Sequence, residues 1–273
     1  MSLDDMSRRA NDPRYISGIY NYCDSWCERC AFTDRCLNFA MRIEFEELAE
    51  EARAEREAED SLAELLDPLD IIEELDSPAD ANEDAQTADQ HDWEMDEFMA
   101  EEERISERAS THPLVQAAEA YIGMANDWFE FGHGQERLAS GPHYLISPEP
   151  AVEGLETQSQ EIRDAIDVIR WYLFFISVKL QRALRGLESE ARDPDFGDDM
   201  PKDSDGTAKI ALIAIDRSTG AWATLMNAYP ERRTTTLPIL ALLARLRHDL
   251  EVEFPAAWAF IRPGFDEIDD AQD

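Results

Sequence analysis

Beyond about residue 111, apolar residues recur at three- and four-residue intervals, the period of helices packed on one side. "THPLVQAAEAYIGMANDWFEFG" places Pro113 near a helix start, where its missing N–H is harmless, and continues with apolar positions at helical spacing. "SPEPAVEG" opens the longest predicted helix, which runs to about Leu187. Its acids (Glu153, Glu156, Glu161, Asp164, Asp167) come first and its bases (Lys179, Arg182, Arg185) last, the order a helix dipole favours. Inside it, "WYLFFI" at 171–176 is apolar around the whole helix, as at the centre of a bundle or in an oligomer contact. An acidic loop at 192–206 follows, and then "TAKIALIAIDRSTGAWATLMNAY" and "TLPILALLARLRHDLEVEF" predict two further helices.

The first third of the chain also reads as helical, with a thinner apolar stripe. One helix is predicted from Tyr15 to about Ala31 and a second from an N-cap at Thr33 to about Asp60. The body of the second, "EFEELAEEARAEREAED", is rich in helix formers but poor in apolar residues. "SLAELLDPLDIIEEL" follows, broken at Pro68, and "DSPADANEDAQTADQ" at 76–90 has no large apolar residue with which to order itself. Strand signals are nearly absent and no internal repeat is found. The expectation is therefore an all-α protein. It divides into an N-terminal four-cysteine module with an acidic helical arm (1–75), a disordered acidic linker (76–90), an all-α bundle (91–265) and an acidic tail (266–273).

Charge sharpens this outline. The 273 residues carry 61 acids against 25 bases, a formal net charge of −36. Residues 44–107 hold 27 acids and three arginines, so two thirds of the excess sits on the arm and linker. Such a surface repels nucleic acid and anionic membrane, and no basic patch offsets it. The partner it suits is a protein with a basic surface. "MSLDDMSRRANDPR" lacks the apolar core of a signal peptide, and "WYLFFI" is far too short to span a bilayer. A cytoplasmic protein with reduced thiols is expected.

All four cysteines fall within fourteen residues, in "YCDSWCERCAFTDRC" (22–36), at the spacing C-x3-C-x2-C-x5-C. In a reducing compartment, clustered cysteines more often bind metal than pair as disulfides. On a helix over 15–31, Cys23, Cys27 and Cys30 lie at i, i+4 and i+7, within about 60° of one another on one face. Cys36 falls in the first turn of the next helix, where free N–H groups and the dipole favour a thiolate. A zinc ion holds four sulfurs at about 2.3 Å, so neighbouring sulfurs lie under about 4 Å apart. On an unbroken helix Cys23 and Cys30 are separated by roughly 10 Å of axial rise. A [4Fe–4S] cubane, which spreads its thiolates over a larger body, suits that spacing better. A break near Cys27 would instead admit a zinc knuckle.

"CERCAFTDRC", residues 27–36, resembles the C-x2-C-x5-C segment of WhiB-like iron–sulfur proteins, in which those cysteines ligate a [4Fe–4S] cluster. The resemblance covers ten residues. It implies cluster ligation by Cys27, Cys30 and Cys36, with Cys23 as the fourth ligand. Beyond these residues the chain departs from the family. Cys23 lies four residues upstream, whereas the family's first cysteine is distant. Ala31 stands where proline is frequent. The glycine-rich turn and basic DNA-binding tail are missing, and "DEIDDAQD" is acidic. DNA binding is therefore not implied. Four cysteine ligands leave no open iron, which points to electron transfer or to sensing of oxygen, nitric oxide or redox state.

Blander readings of the same residues stand beside this one. The cysteines could be structural zinc ligands in a scaffold or adaptor without catalysis. Cys27 and Cys30 could be a redox CxxC, though the βαβ setting of such motifs is absent. The thiols could also be unliganded or paired. Tyr20, Tyr22, Trp26 and Phe32 would either shield a cluster or simply pack.

Elsewhere little chemistry is legible. A di-iron bundle needs two Glu-x-x-His motifs. His248 has Arg245 three residues before it, His91 precedes Glu94 in the reverse order, and His112, His133 and His143 lie at helix starts or in loops. Glu119 and Asp216 sit in apolar stretches, where a carboxylate needs a partner; beside a functional site, they read as exposed stripe positions or as partners in an ion pair with Arg217 or Arg170. No phosphate loop, nucleophile elbow or HExxH occurs, so no catalytic residue is assigned.

Overall fold

The computed structural model describes residues 8–63, 88–130, 159–192 and 202–267. Among them the expectation of an all-α protein holds: no strand forms, and the helices are α1 (Leu37–Ala63), α2 (Ala88–Thr111), α3 (Pro113–Glu130), α4 (Gln160–Arg192), α5 (Asp203–Ala228) and α6 (Arg233–Glu253). The Pro68 break, the leucine-rich stretch beyond α1 and most of the 76–90 linker lie outside the described residues, as do Glu153, Glu156, His133 and His143. None of the described helices is long and apolar enough to cross a membrane.

Two compact units divide the chain: Met1–Tyr20 with Cys27–Glu101, and Asn21–Trp26 with Glu102–Asp273. In the first unit, α1 begins after a 3-10 turn at Thr33–Arg35, and the Ile16 N–H donates to the Arg35 carbonyl at 3.0 Å. Arg9 pairs with Glu44 at 2.6 Å on an exposed surface. Phe45 and Leu48 on α1 are themselves exposed, as its thin apolar stripe foretells.

In the second unit α3, α4, α5 and α6 form a four-helix bundle in which α3 and α5 both lie against α4 and α6. Pro113 is the first residue of α3, as predicted. The core is built from Tyr121, Tyr172, Ile176, Leu212, Trp222 and Leu243, among others. Within "WYLFFI", Tyr172, Leu173 and Ile176 are buried and Phe174 and Phe175 pack partly against them, so the run belongs to the bundle centre. The indoles and phenols that go inside bring their hydrogen bonds with them. Trp222 Nε1 donates to the Tyr121 hydroxyl at 3.0 Å, and Trp128 Nε1 donates to Thr236 Oγ1 at 2.9 Å. Burial pushes the Tyr121 phenol up to about 12.

Two boundaries moved. Helix α4 runs to Arg192, and α5 starts at Asp203, inside the stretch predicted as an acidic loop. The acids there are the start of a helix: Asp203 and Asp205 occupy its first turn, where the dipole favours negative charge. Glu190 accepts from the Ser204 N–H at 2.9 Å and from its hydroxyl at 2.6 Å, satisfying one of the orphan donors of that turn.

Asp266, expected in the solvated tail, is held inside an ion cluster. It meets Lys209 Nζ at 2.7 Å and Arg262 at 2.8 Å, and Lys209, on the buried side of α5, also donates to the Phe260 carbonyl at 2.6 Å. Burial pushes the Asp266 carboxyl up, but hydrogen bonds from Arg262 and Lys209 outweigh it and hold the group well below the usual carboxylate range. With a folded pKa below the unfolded one, the stabilisation is complete above about pH 4. It is lost as acid takes the pH down through the folded value. Asp266→Asn should cost about 1–3 kcal/mol at pH 7, the scale of a charge-assisted hydrogen bond. In urea melts the gap between wild type and variant should narrow at pH 3; a gap equal at both pH values would refute the assignment.

Candidate metal centre

The helix predicted over 15–31 does not form. In its place are two 3-10 turns, Ile19–Tyr22 and Cys27–Arg29, separated by irregular residues among which Ser25 takes the left-handed conformation (φ 57°). The cause is tertiary. Tyr, Asn, Asp, Ser, Cys and Trp are indifferent helix formers, and a single short helix is marginal in water. Against that weak preference stands the docking of Asn21–Trp26 on the bundle. Asp24 also offers the backbone a local alternative, its Oδ1 accepting the Trp26 N–H at 3.2 Å.

The docking is dense for six residues. The Tyr22 hydroxyl donates to Asp203 Oδ1 at 2.9 Å, and its ring packs on Phe260 with centroids 4.6 Å apart. The Trp171 indole donates to the Asp24 carbonyl at 2.9 Å. Asp24 Oδ2 accepts from the Tyr172 hydroxyl and from Arg217, both at 2.5 Å, and Arg217 also donates to that hydroxyl. Trp26 stacks on Trp171 at 4.9 Å, nearly parallel. Burial, and then the bond to Asp24, push the Tyr172 phenol well above the usual tyrosine range.

The four cysteines lie on this irregular framework, each partly buried and none in a disulfide. Cys23 belongs to the docked segment, with its Sγ 3.9 Å from Ser25 Oγ. Cys27 opens the second 3-10 turn, and the Cys30 N–H donates back to its carbonyl at 3.1 Å. The Cys30 sulfur accepts the Phe32 N–H at 3.4 Å, the kind of bond that supports a sulfur ligand. Thr33, expected to cap the second helix, instead opens the 3-10 turn before it. Cys36 is extended (φ −107°, ψ 112°), and its carbonyl accepts the Ala40 N–H at 3.1 Å. Cys36 is thus the N-cap of α1 itself, beside the free N–H groups of the first turn.

These positions remove the argument from a shared helix face. Cys23, Cys27 and Cys30 are not at i, i+4 and i+7 of one helix, so the axial rise that disfavoured a single zinc ion does not apply. Among the described residues, no group of three or more His, Cys, Asp or Glu side chains is gathered closely enough to hold an ion.

Of the remaining candidates, Glu119 is exposed, as its position on α3 implies. Asp216 is paired, but with Arg247 at 2.7 Å, while Arg217 goes to Asp24. His248 is exposed on α6, and His112 caps α3, its Nδ1 accepting the Leu114 N–H at 3.3 Å. The residues missed in the sequence are Asp24, Tyr172 and Arg217. The one available signal was an aspartate directly beside a cysteine that no helix pattern required. No family model, curated protein or solved structure matches this chain.

The docked segment can be tested through Gly206 on α5. A Cβ there would lie 2.5 Å from Tyr22 Cε1 and 2.7 Å from Phe260 Cζ, whereas at Gly220 nothing lies within 4 Å. Gly206→Ala should therefore destabilise by about 1–3 kcal/mol through overpacking. Gly220→Ala, on the same helix, should stabilise by about 0.5–1 kcal/mol. Thermal melts of the two variants should shift in opposite directions.

Proposed function

We propose that Cys23, Cys27, Cys30 and Cys36 ligate a metal centre, a [4Fe–4S] cluster, that serves electron transfer or redox and oxygen sensing in a reducing, cytoplasmic setting. The observation that carries the reading is the collection of every thiol of a 273-residue chain into fourteen residues, each partly buried and none in a disulfide. The likeness of "CERCAFTDRC" to the WhiB-like cysteine segment favours the cluster. The N-cap position of Cys36 and the N–H donated to the Cys30 sulfur suit thiolate ligands of any metal. When bound, the cluster would supply a reversible one-electron site. The chain's part is to supply the sulfurs, their hydrogen bonds and the charge around them. The acidic arm would dock a protein with a basic surface, an association that weakens as salt rises.

A second reading, a zinc-stapled scaffold or adaptor without catalysis, is favoured by one observation: the break of the helix before Cys27, which frees the turns to wrap a small ion.

Metal and sulfide analysis with an absorption spectrum, on full-length protein purified without air, separates the two. Iron and acid-labile sulfide of about four each per chain, with a brown colour lost in Cys27→Ser, is expected. About one zinc and no colour would replace the cluster with the scaffold. Neither metal would overturn both.

A further inference from the structure

We propose that the surface of α4 and α5 beneath Asn21–Trp26 is a peptide-recognition groove. The chain's own segment fills it in cis, and a partner protein's segment reading aromatic–x–acid–x–aromatic competes for it in trans. Nothing in this depends on the metal centre. Of the residues before Glu102, Asn21–Trp26 alone cluster with the second unit, while those up to Tyr20 and from Cys27 cluster with the first. The six residues therefore meet the bundle as a short peptide does. They are irregular after Tyr22, Ser25 is exposed and the other five are half-buried. None of them is a buried member of the bundle core, so the segment can leave its seat without emptying that core.

Recognition runs through every second residue. Tyr22 donates to Asp203, and its ring lies on Phe260 over Gly206, where the missing side chain leaves it room. Asp24 Oδ2 accepts from Tyr172 and Arg217, and the side chain is 18 % exposed. Withdrawing a carboxylate this far from water is unfavourable without such partners, and a basic residue in the same seat would face Arg217. Trp26 stacks on Trp171, whose indole donates to the Asp24 carbonyl, and Arg182 reaches the Asn21 carbonyl at 3.5 Å. Those two bonds go to backbone groups that any peptide offers. The groove thus has two aromatic seats with an arginine between them, on a chain of net charge −36 that otherwise repels acidic ligands. Aromatic and charged anchors of this kind carry most of the energy of an interface, and none of them needs the covalent link. That link gives the chain's own segment an effective concentration of about 1 mM, which sets what a partner must overcome.

The test is fluorescence anisotropy of a labelled peptide, residues 18–28 carrying Cys23→Ser and Cys27→Ser, titrated with full-length protein. In a protein with Tyr22→Ala, Asp24→Ala and Trp26→Ala together, the peptide should bind saturably and about 10-fold more tightly than to wild type, where the cis segment competes. Asp24→Lys in the peptide, or Arg217→Ala added to the protein, should abolish binding. No saturable binding to a triple variant with the circular dichroism of wild type would overturn the groove, as would binding indifferent to both changes. Equal affinity for wild type and triple variant would overturn the cis occupancy. If the triple variant does not fold, wild-type protein decides. Unlabelled peptide at about 1 mM should then speed iodoacetamide labelling of Cys23 about twofold by displacing the segment, and the Asp24→Lys peptide should not. Equal rates with the two peptides would overturn the proposal. A wild-type dimer that forms with concentration and is lost in Arg217→Ala would replace the foreign partner with a second copy exchanging its segment.

Discussion

Helix α5 is enclosed on most of its circumference, and that enclosure dictates the paths of the segments around it. It can be enclosed because its inward positions are small: Gly206, Ala208, Ala211, Ala214, Ser218 and Ala221 let neighbours approach closely, while Ile210, Leu212, Ile215, Trp222 and Leu225 fill the remaining space. Helices α4 and α6 cover two sides, and the turn Ala257–Ala259 covers part of a third. Near its first turns Tyr22 and Phe260 meet over Gly206. Lys209 faces this interior as well, and a buried ammonium requires partners. Phe260 and Asp266 supply them, which is why the chain after α6 folds back along α5 instead of leaving the bundle.

The same rule governs the polar ends of the large aromatic residues. Tyr121 and Trp222 satisfy each other, and Trp128 uses Thr236, whose hydroxyl in turn donates to the Arg232 carbonyl. Arg232 then closes the circuit by donating to the Trp128 carbonyl while lying over its ring, 4.0 Å from the centroid. Tyr172 differs in that its ring is buried in the core while its hydroxyl donates to Asp24 and accepts from Arg217. The acceptor for its proton comes from the far N-terminal segment, and that bond becomes a reason for residues 21–26 to leave the helical state. Local propensity there is weak and the buried network is strong, so the tertiary contact wins.

That contest explains what could be read from the sequence. The bundle helices were legible because they are long and periodic: the start of α3 at Pro113 and the existence of α4, α5 and α6 follow from spacing alone. The start of α5 was missed because Asp203 and Asp205 look like a loop unless one knows that Glu190 binds Ser204 and that the helix dipole favours acids in this first turn. The cysteine segment was misread for the opposite reason. Its spacing happens to match a helix face, but the residues between the cysteines (Asp24, Trp26 and, just before, Tyr22) are specified by contacts on α4 and α5 that are more than a hundred residues away. Asp266 is the same case at the other end, an acid whose role is visible only once Lys209 is known to point inward.

The loss of the helix moves the question of the metal from spacing to charge. Four thiolates around either Zn²⁺ or an oxidised [4Fe–4S]²⁺ core give a site of formal charge −2, so charge does not separate the two at rest. It separates what they can do. Reduction would add a further negative charge within a chain already at −36, and that field opposes it. On the iron–sulfur reading, a usable potential then depends on cations set close to the ligands. Within the second unit, Arg182 reaches the Asn21 carbonyl and Arg217 is bound to Asp24. Burial, followed by the charge of Arg182, lowers the Lys179 pKa. A structural zinc site would undergo no such change of charge, so the acidic field weighs on the two readings differently.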